Sequence, residues 1–336
     1  MTDHGFLAGG LAPFTVQVVD LSSGVSSART PTPAWGGHGN QLGGACRRNN
    51  AGTKLYVTNA VPTQQIGTPG ALGVFDLPSL TFSHWIDISS VCTDAVGITI
   101  DPSDAYAYVT GETSGSLTQV DLSSDAIVGN LTGLGVGTVG SCIDPAGTYA
   151  YVIDSNGNGV NQVDVSTMTI VNTVYVYTVS TAIAMDPSGN AVWFFFGGSS
   201  FANIALPAFA TYTPYAVSGT PQMSAFPGAI KLNNAGTVAF ACEDSANHLW
   251  RIDTSSHVVS GPTLMGSPSG HLSDIAINAT DTTALIGQSA APAVNLLDLS
   301  SYVNAYTLMV LGTDFTIGTD IGPYGASATT QIVMLV

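Results

Sequence analysis

Ile143-Asp144-Pro145-Ala146-Gly147-Thr148-Tyr149-Ala150-Tyr151-Val152 is the stretch on which the fold is read. A short apolar strand runs into a turn of the form Asp-Pro-x-Gly. A second strand with alternating aromatics follows. The turn chemistry is specific: Pro presets φ, the Asp side chain can accept the backbone N–H groups that follow, and Gly tolerates positive φ. The phrase recurs as Ile100-Asp101-Pro102-Ser103-Asp104-Ala105-Tyr106-Ala107-Tyr108-Val109 and as Met185-Asp186-Pro187-Ser188-Gly189-Asn190-Ala191-Val192-Trp193. Copies with Asn in the Asp place begin at Asn49, Asn233 and Asn278, and a degenerate one is Ile321-Gly322-Pro323-Tyr324-Gly325. The mean spacing of about 45 residues is that of one four-stranded propeller blade.

A second phrase falls between these anchors. It reads Val120-Asp121-Leu122-Ser123-Ser124 and returns at Asp20, Asp76, Asp164, Asp253 and Asp298, with an eroded copy at Ile204-Ala205-Leu206-Pro207. Each ends a third strand. The chain begins with a third-strand phrase and ends with a first-and-second-strand unit. The expectation is an all-β protein: a seven-bladed β-propeller of four-stranded antiparallel blades. It forms a single domain over 1–336, with the last blade closed by N- and C-terminal strands from 14–30 and 316–336. Closure removes free sheet edges.

Leu55-Tyr56-Val57-Thr58-Asn59 contains the Tyr-Val-Thr-Asn signature, with near copies at Tyr108-Val109-Thr110-Gly111 and Tyr151-Val152-Ile153-Asp154. The chain resembles the YVTN-repeat propellers over nearly its whole length. That family includes surface-layer proteins, lactonases, muconate cyclases and adhesion or scaffold modules. The resemblance implies the fold and leaves the function open.

Composition narrows the classes. Of 336 residues only 28 are charged, 6 Lys or Arg and 22 Asp or Glu, for a net charge of −16. Six cations cannot supply the clustered phosphate contacts of a nucleic-acid binder. Two Glu and two Lys exclude coiled coils and helical bundles. The longest uncharged run is broken by repeated Gly and Pro, so no membrane insertion is expected. Residues 1–11 show neither a basic start nor a continuous apolar stretch of signal-peptide length. Cys46, Cys92, Cys142 and Cys242 match no metal spacing and read as buried free thiols.

Several motifs carry candidate chemistry. Gly135-Val136-Gly137-Thr138-Val139-Gly140 matches a dinucleotide pattern but lacks the helix that pattern needs, and reads as an inter-blade loop. Asp154, Asn156 and Asn158 resemble the start of a calcium loop, although position twelve is Val165 where a bidentate Glu belongs. Glu112, Glu243, Asp244 and His248 are the acid–base candidates of a lactonase-like or isomerase-like enzyme at the channel mouth. No catalytic set recurs at a fixed spacing, and no cofactor or metal is implied. Arg47 and Arg48 read as a solvated pair. Residues 191–230 hold nine aromatics and no charge. Phe194, Phe195, Phe196, Phe201, Tyr212 and Tyr215 are the candidate partner-binding surface there, against the plainer reading of deep packing between blades.

The expectation for function is a non-enzymatic structural or adhesion propeller. Scarce Lys and Arg without a visible signal suit a bacteriophage virion protein (decoration, tail or receptor-binding) or a cell-surface, extracellular protein. Its partners would be other structural protein subunits or a host surface glycan or protein. The lactonase-like enzyme is the alternative.

Overall fold

The computed structural model describes residues 3–9, 15–21, 30–31, 33, 35, 45–60, 67–77, 79–154, 159–176, 179–196, 200–216, 227–243, 247–265, 272–288, 293–309 and 316–323. The described elements are strands, and none is a helix. The N-terminal segment supplies β1 (Asp3–Gly9), β2 (Thr15–Asp20) and β3 (Thr30–Pro31). Blade 1 is β4 (Cys46–Arg48), β5 (Lys54–Thr58), β6 (Ala71–Asp76) and β7 (Thr81–Asp87). Blade 2 is β8 (Ala95–Ile100), β9 (Tyr106–Gly111), β10 (Ser116–Asp121) and β11 (Ala126–Leu131). Blade 3 is β12 (Thr138–Ile143), β13 (Tyr149–Asp154), β14 (Gly159–Asp164) and β15 (Thr169–Tyr175). Blade 4 is β16 (Val179–Met185), β17 (Ala191–Phe196), β18 (Ser200–Ala205) and β19 (Tyr212–Ala216). Blade 5 is β20 (Pro227–Leu232), β21 (Val238–Glu243), β22 (His248–Asp253) and β23 (Val259–Leu264). Blade 6 is β24 (Leu272–Ile277), β25 (Thr283–Gln288), β26 (Ala293–Asp298) and β27 (Val303–Met309). The last described strand is β28 (Thr316–Pro323).

Each blade is an antiparallel meander of four consecutive strands, and the fold is a β-propeller. A further four-stranded sheet joins the chain ends in the order β28-β1-β2-β3. This corrects the expected division at 14–30 and 316–336. Asp3–Gly9 forms the second strand of that sheet, so three of its strands come from the N-terminal segment and only β28 from the C-terminal end. Asp3-His4-Gly5-Phe6-Leu7-Ala8-Gly9 has two glycines and no clean alternation, which hid it from pattern reading. Residues 324–336 lie outside the described residues.

First strands of successive blades touch from β4 through to β24, and both β24 and β4 pack against β28. First strands therefore surround the axis. Second and third strands are buried on both faces between neighbouring blades, which is why they read as nearly continuous apolar runs.

The repeated turn does what its chemistry predicts. Asp144 Oδ1 accepts the N–H groups of Thr148 and Tyr149 at 2.7 and 3.1 Å. Asn49, Asn233 and Asn278 use the same oxygen on the same two positions, each at 2.9 Å. Asp and Asn share this acceptor role, and each Asn also donates its Nδ2–H to a turn threonine, Asn49 to Thr53 at 3.0 Å, Asn233 to Thr237 at 3.1 Å and Asn278 to Thr282 at 2.9 Å. The fourth turn residue has φ between 55 and 74° in all six blades: Gly52, Asp104, Gly147, Gly189, Gly236 and Asp281.

The Tyr-Val-Thr-Asn stretch also has a physical basis. Thr58 is fully buried, and its hydroxyl donates to Val96 O of the next blade at 3.2 Å. Thr110 repeats this to Val139 O at 3.0 Å. Asn59 Nδ2 donates to Pro69 O at 2.8 Å while its Oδ1 accepts Ala71 N–H at 2.9 Å, so it clamps the loop between second and third strands.

The Asp-x-Ser turns add a pH-dependent element. Asp121, Asp164, Asp253 and Asp298 each accept the backbone N–H and hydroxyl of the Ser two residues on. These bonds hold the four carboxyls below their usual range. For Asp253, where the Ser256 N–H is the largest cause, the value falls to about 2. A depressed carboxylate stabilises the fold above its unfolded pKa of roughly 4. That contribution is lost as pH falls toward 2. A variant with Ala at Ser123, Ser166, Ser255 and Ser300 is expected to melt below wild type at pH 6. The gap should close between pH 4 and 2 in a thermal-melt series, and a gap independent of pH would contradict the assignment.

Candidate functional site

The turn-bearing end of the axis holds a cavity of about 430 Å³ lined by first strands of blades 1 to 5 and their turns. Arg47 and Arg48 enter from β4 and Lys231 from β20. The expected solvated pair is thus a channel lining. No Asp or Glu is among the described residues that line this cavity. Arg47 Nη1 stands 3.6 Å from Asp274 Oδ2 of β24, an ion pair that passes across β28 from blade 1 to blade 6. Thr99 Oγ1 donates to Ser141 O at 2.9 Å, closing the wall between blades 2 and 3. Cys142 also lines the cavity. Burial pushes its thiol above the usual range, and the Lys231 ammonium pulls the other way.

Two of the acid–base candidates meet in blade 5, while Glu112 lies apart in blade 2. Glu243 ends β21 and is fully buried. Its Oε2 lies 2.9 Å from His248 Nδ1 and accepts Trp250 Nε1–H at 3.0 Å. Asp244 lies outside the described residues. Glu112 is buried in blade 2, where its backbone bridges Asp94 and Gly137. Asp94, which sequence reasoning passed over, is fully buried and accepts Gly67 N–H at 3.0 Å, Thr68 N–H at 2.6 Å and the Thr113 hydroxyl at 2.5 Å. It is a loop fastener.

The blade 4 surface is corrected by burial. Phe194, Phe195 and Phe201 are buried and cannot serve as an exposed contact. Alternation along β17 sends Phe194 and Phe195 to opposite sides. Trp193 and Phe195 pack with Phe201, Ile230 and Trp250 toward blade 5, whereas Phe194 packs with Tyr151, Ile153 and Phe209 toward blade 3. Tyr212 and Tyr215 are half-buried. The Tyr215 ring stacks on His257 with centroids 3.8 Å apart. Phe196 closes β17, and its side chain lies outside the described residues.

Asp154 ends β13 and is buried beside Gly135, where any Cβ would meet its carboxylate. Asn156 and Asn158 lie outside the described residues. Among those described, no group of three or more His, Cys, Asp or Glu gathers as metal ligands. Gly133, Gly135 and Gly137 all have positive φ in the loop leading into β12, as an inter-blade loop requires. All four cysteines are free and buried.

Exposed apolar residues stand on the outermost strands of blades 2 and 3. The third and fourth strands of blades 2 and 3 are paired with a bulge at the same place, leaving Val128 and Val171 each as the extra residue. Each is 52% exposed, and Tyr175 on the same edge is 76% exposed. Blade 1 has Ser83 at that bulge.

No protein-family model matches the sequence, and no curated protein does. Among solved structures the fold is similar to Kuenenia stuttgartiensis hydrazine synthase. The identity is 16%, the match covers 86% of this chain and 90% of that one, and the TM-score is 0.68. That likeness shows the propeller fold alone.

Proposed function

We propose that this chain is a non-enzymatic structural or adhesion propeller that works on a particle or cell exterior. In this reading the sheet β28-β1-β2-β3 is the seventh blade and closes one ring. Kinship with YVTN-repeat propellers is supported by the sequence Leu55-Tyr56-Val57-Thr58-Asn59 and its near copies.

The observation that carries the reading is the exposure of Val128 and Val171 at equivalent bulges of neighbouring blades, with Tyr175 exposed on the strand of Val171. In this reading the two equivalent valines and Tyr175 belong to one contact surface. The occupant is a different protein, neutral or cationic, because two copies at −16 repel each other. The lactonase-like alternative needs Glu243 as acid or base, and that carboxylate is buried and engaged by His248 and Trp250.

Particles or envelopes purified from the native source are expected to carry the chain. A Val128→Lys/Val171→Lys variant is expected to fold normally and to stay in the supernatant. Wild-type chain absent from the particulate fraction, or lactone turnover abolished by Glu243→Gln, would sink this function.

A further inference from the structure

We infer that the turn-side mouth of the axial channel binds a small multivalent oxyanion, a group carrying two or more carboxylate or phosphate charges. The first support is where the cations lie. The chain has six Lys and Arg in all, and three of them, Arg47, Arg48 and Lys231, line one cavity. Arg47 and Arg48 are neighbours on β4, and the ring brings Lys231 of β20, from blade 5, to join them. In a chain of net charge −16 with six Lys and Arg, half of the cations line this one cavity.

The second support is the rest of the wall. Thr99 and Ser141 add hydroxyl groups, and no described carboxylate is among the lining residues; the Asn50 and Asn234 amides on the wall are held by the Asp104 and Asp281 carboxylates behind it. The cavity falls within the roughly 300–1,000 Å³ usual for small-molecule sites. Guanidinium forks suit carboxylate and phosphate oxygens, and an ammonium adds a compact third charge. Asp274, which pairs with Arg47, steadies that guanidinium at the edge of the site. The overall acidic field opposes anion approach, so affinity at this mouth must come from these local charges.

This inference stands apart from the contact surface of blades 2 and 3 and is tested separately. Citrate and inorganic pyrophosphate are titrated calorimetrically into the full chain at low ionic strength. Both are expected to bind at one site per chain and to raise the melting temperature. Lys231→Gln is expected to weaken binding about tenfold, the equivalent of one charge-assisted hydrogen bond. Lys54→Gln removes the same charge from the Lys54–Asp76 pair on blade 1, outside the lining, and is expected to leave affinity unchanged. Equal losses in the two variants would show diffuse charge in place of a site. No binding of either anion by folded wild type would overturn the inference and leave the three cations as counter-charges of the acidic turns.

Discussion

Replacing Phe195 with alanine is expected to lower the unfolding free energy by about 3–5 kcal/mol, the usual cost of emptying a buried aromatic site. Phe195 is 1% exposed and is held between Trp193, Phe201 and Trp250 at the junction of blades 4 and 5. These neighbours belong to strands fixed on both sides, so they have little room to collapse into the void. Phe195→Leu keeps most of the volume and should cost under about 1.5 kcal/mol. Urea unfolding followed by circular dichroism measures both. A cost below about 1 kcal/mol for the alanine variant would place the ring at the surface and restore the partner-contact reading.

Exchanging turn residues between neighbouring blades should show strong coupling. Asp104 Oδ1 accepts Asn50 N–H at 2.7 Å and Asn50 Nδ2–H at 2.8 Å, and its Oδ2 accepts Ala51 N–H at 2.8 Å. Asp281 does the same to Asn234 and Ala235. Asp stands at the left-handed turn position only where the preceding turn is Asn-Asn-Ala-Gly. Where the preceding turn carries Pro, which has no N–H to give, the following turn has Gly, as Gly147 does against Pro102 and Gly189 against Pro145. Asn50→Pro and Asp104→Gly should each destabilise by roughly 1–2 kcal/mol through lost charge-assisted bonds. Together they rebuild the Pro–Gly contact of blades 2 and 3. The double variant is therefore expected to recover at least about 1 kcal/mol over the sum of the single costs. Additive costs in thermal or urea unfolding would deny the pairing.

The blades were legible because each turn needs a particular residue at a particular place. Asp or Asn opens it, and Gly or Asp closes it at positive φ. Strand β1 was not legible, since nothing in Gly5 or Gly9 declares a strand until β28 lies beside it. Blade 4 misled for a related reason. Both faces of a propeller blade are buried, so Phe194 and Phe195 obey alternation without any polar face to show it. Arg47, Arg48 and Lys231 were visible as residues, but their meeting is not. It exists only once the first strands of separate blades are brought around one axis. Asp94 gave no signal because its partners, Gly67, Thr68 and Thr113, lie on two different loops.

The placement of the cations also governs how the folded chain meets proteases. Trypsin cuts after Lys and Arg, and a scissile bond must leave its strand to enter the enzyme. Arg47 and Arg48 are in β4, Lys54 in β5, Lys231 in β20 and Arg251 in β22, five of the six such residues of the chain. The bonds after Arg47, Lys54, Lys231 and Arg251 lie within strands, so tryptic digestion there reports the opening of blades, whereas the bond after Arg48 borders the turn at Asn49.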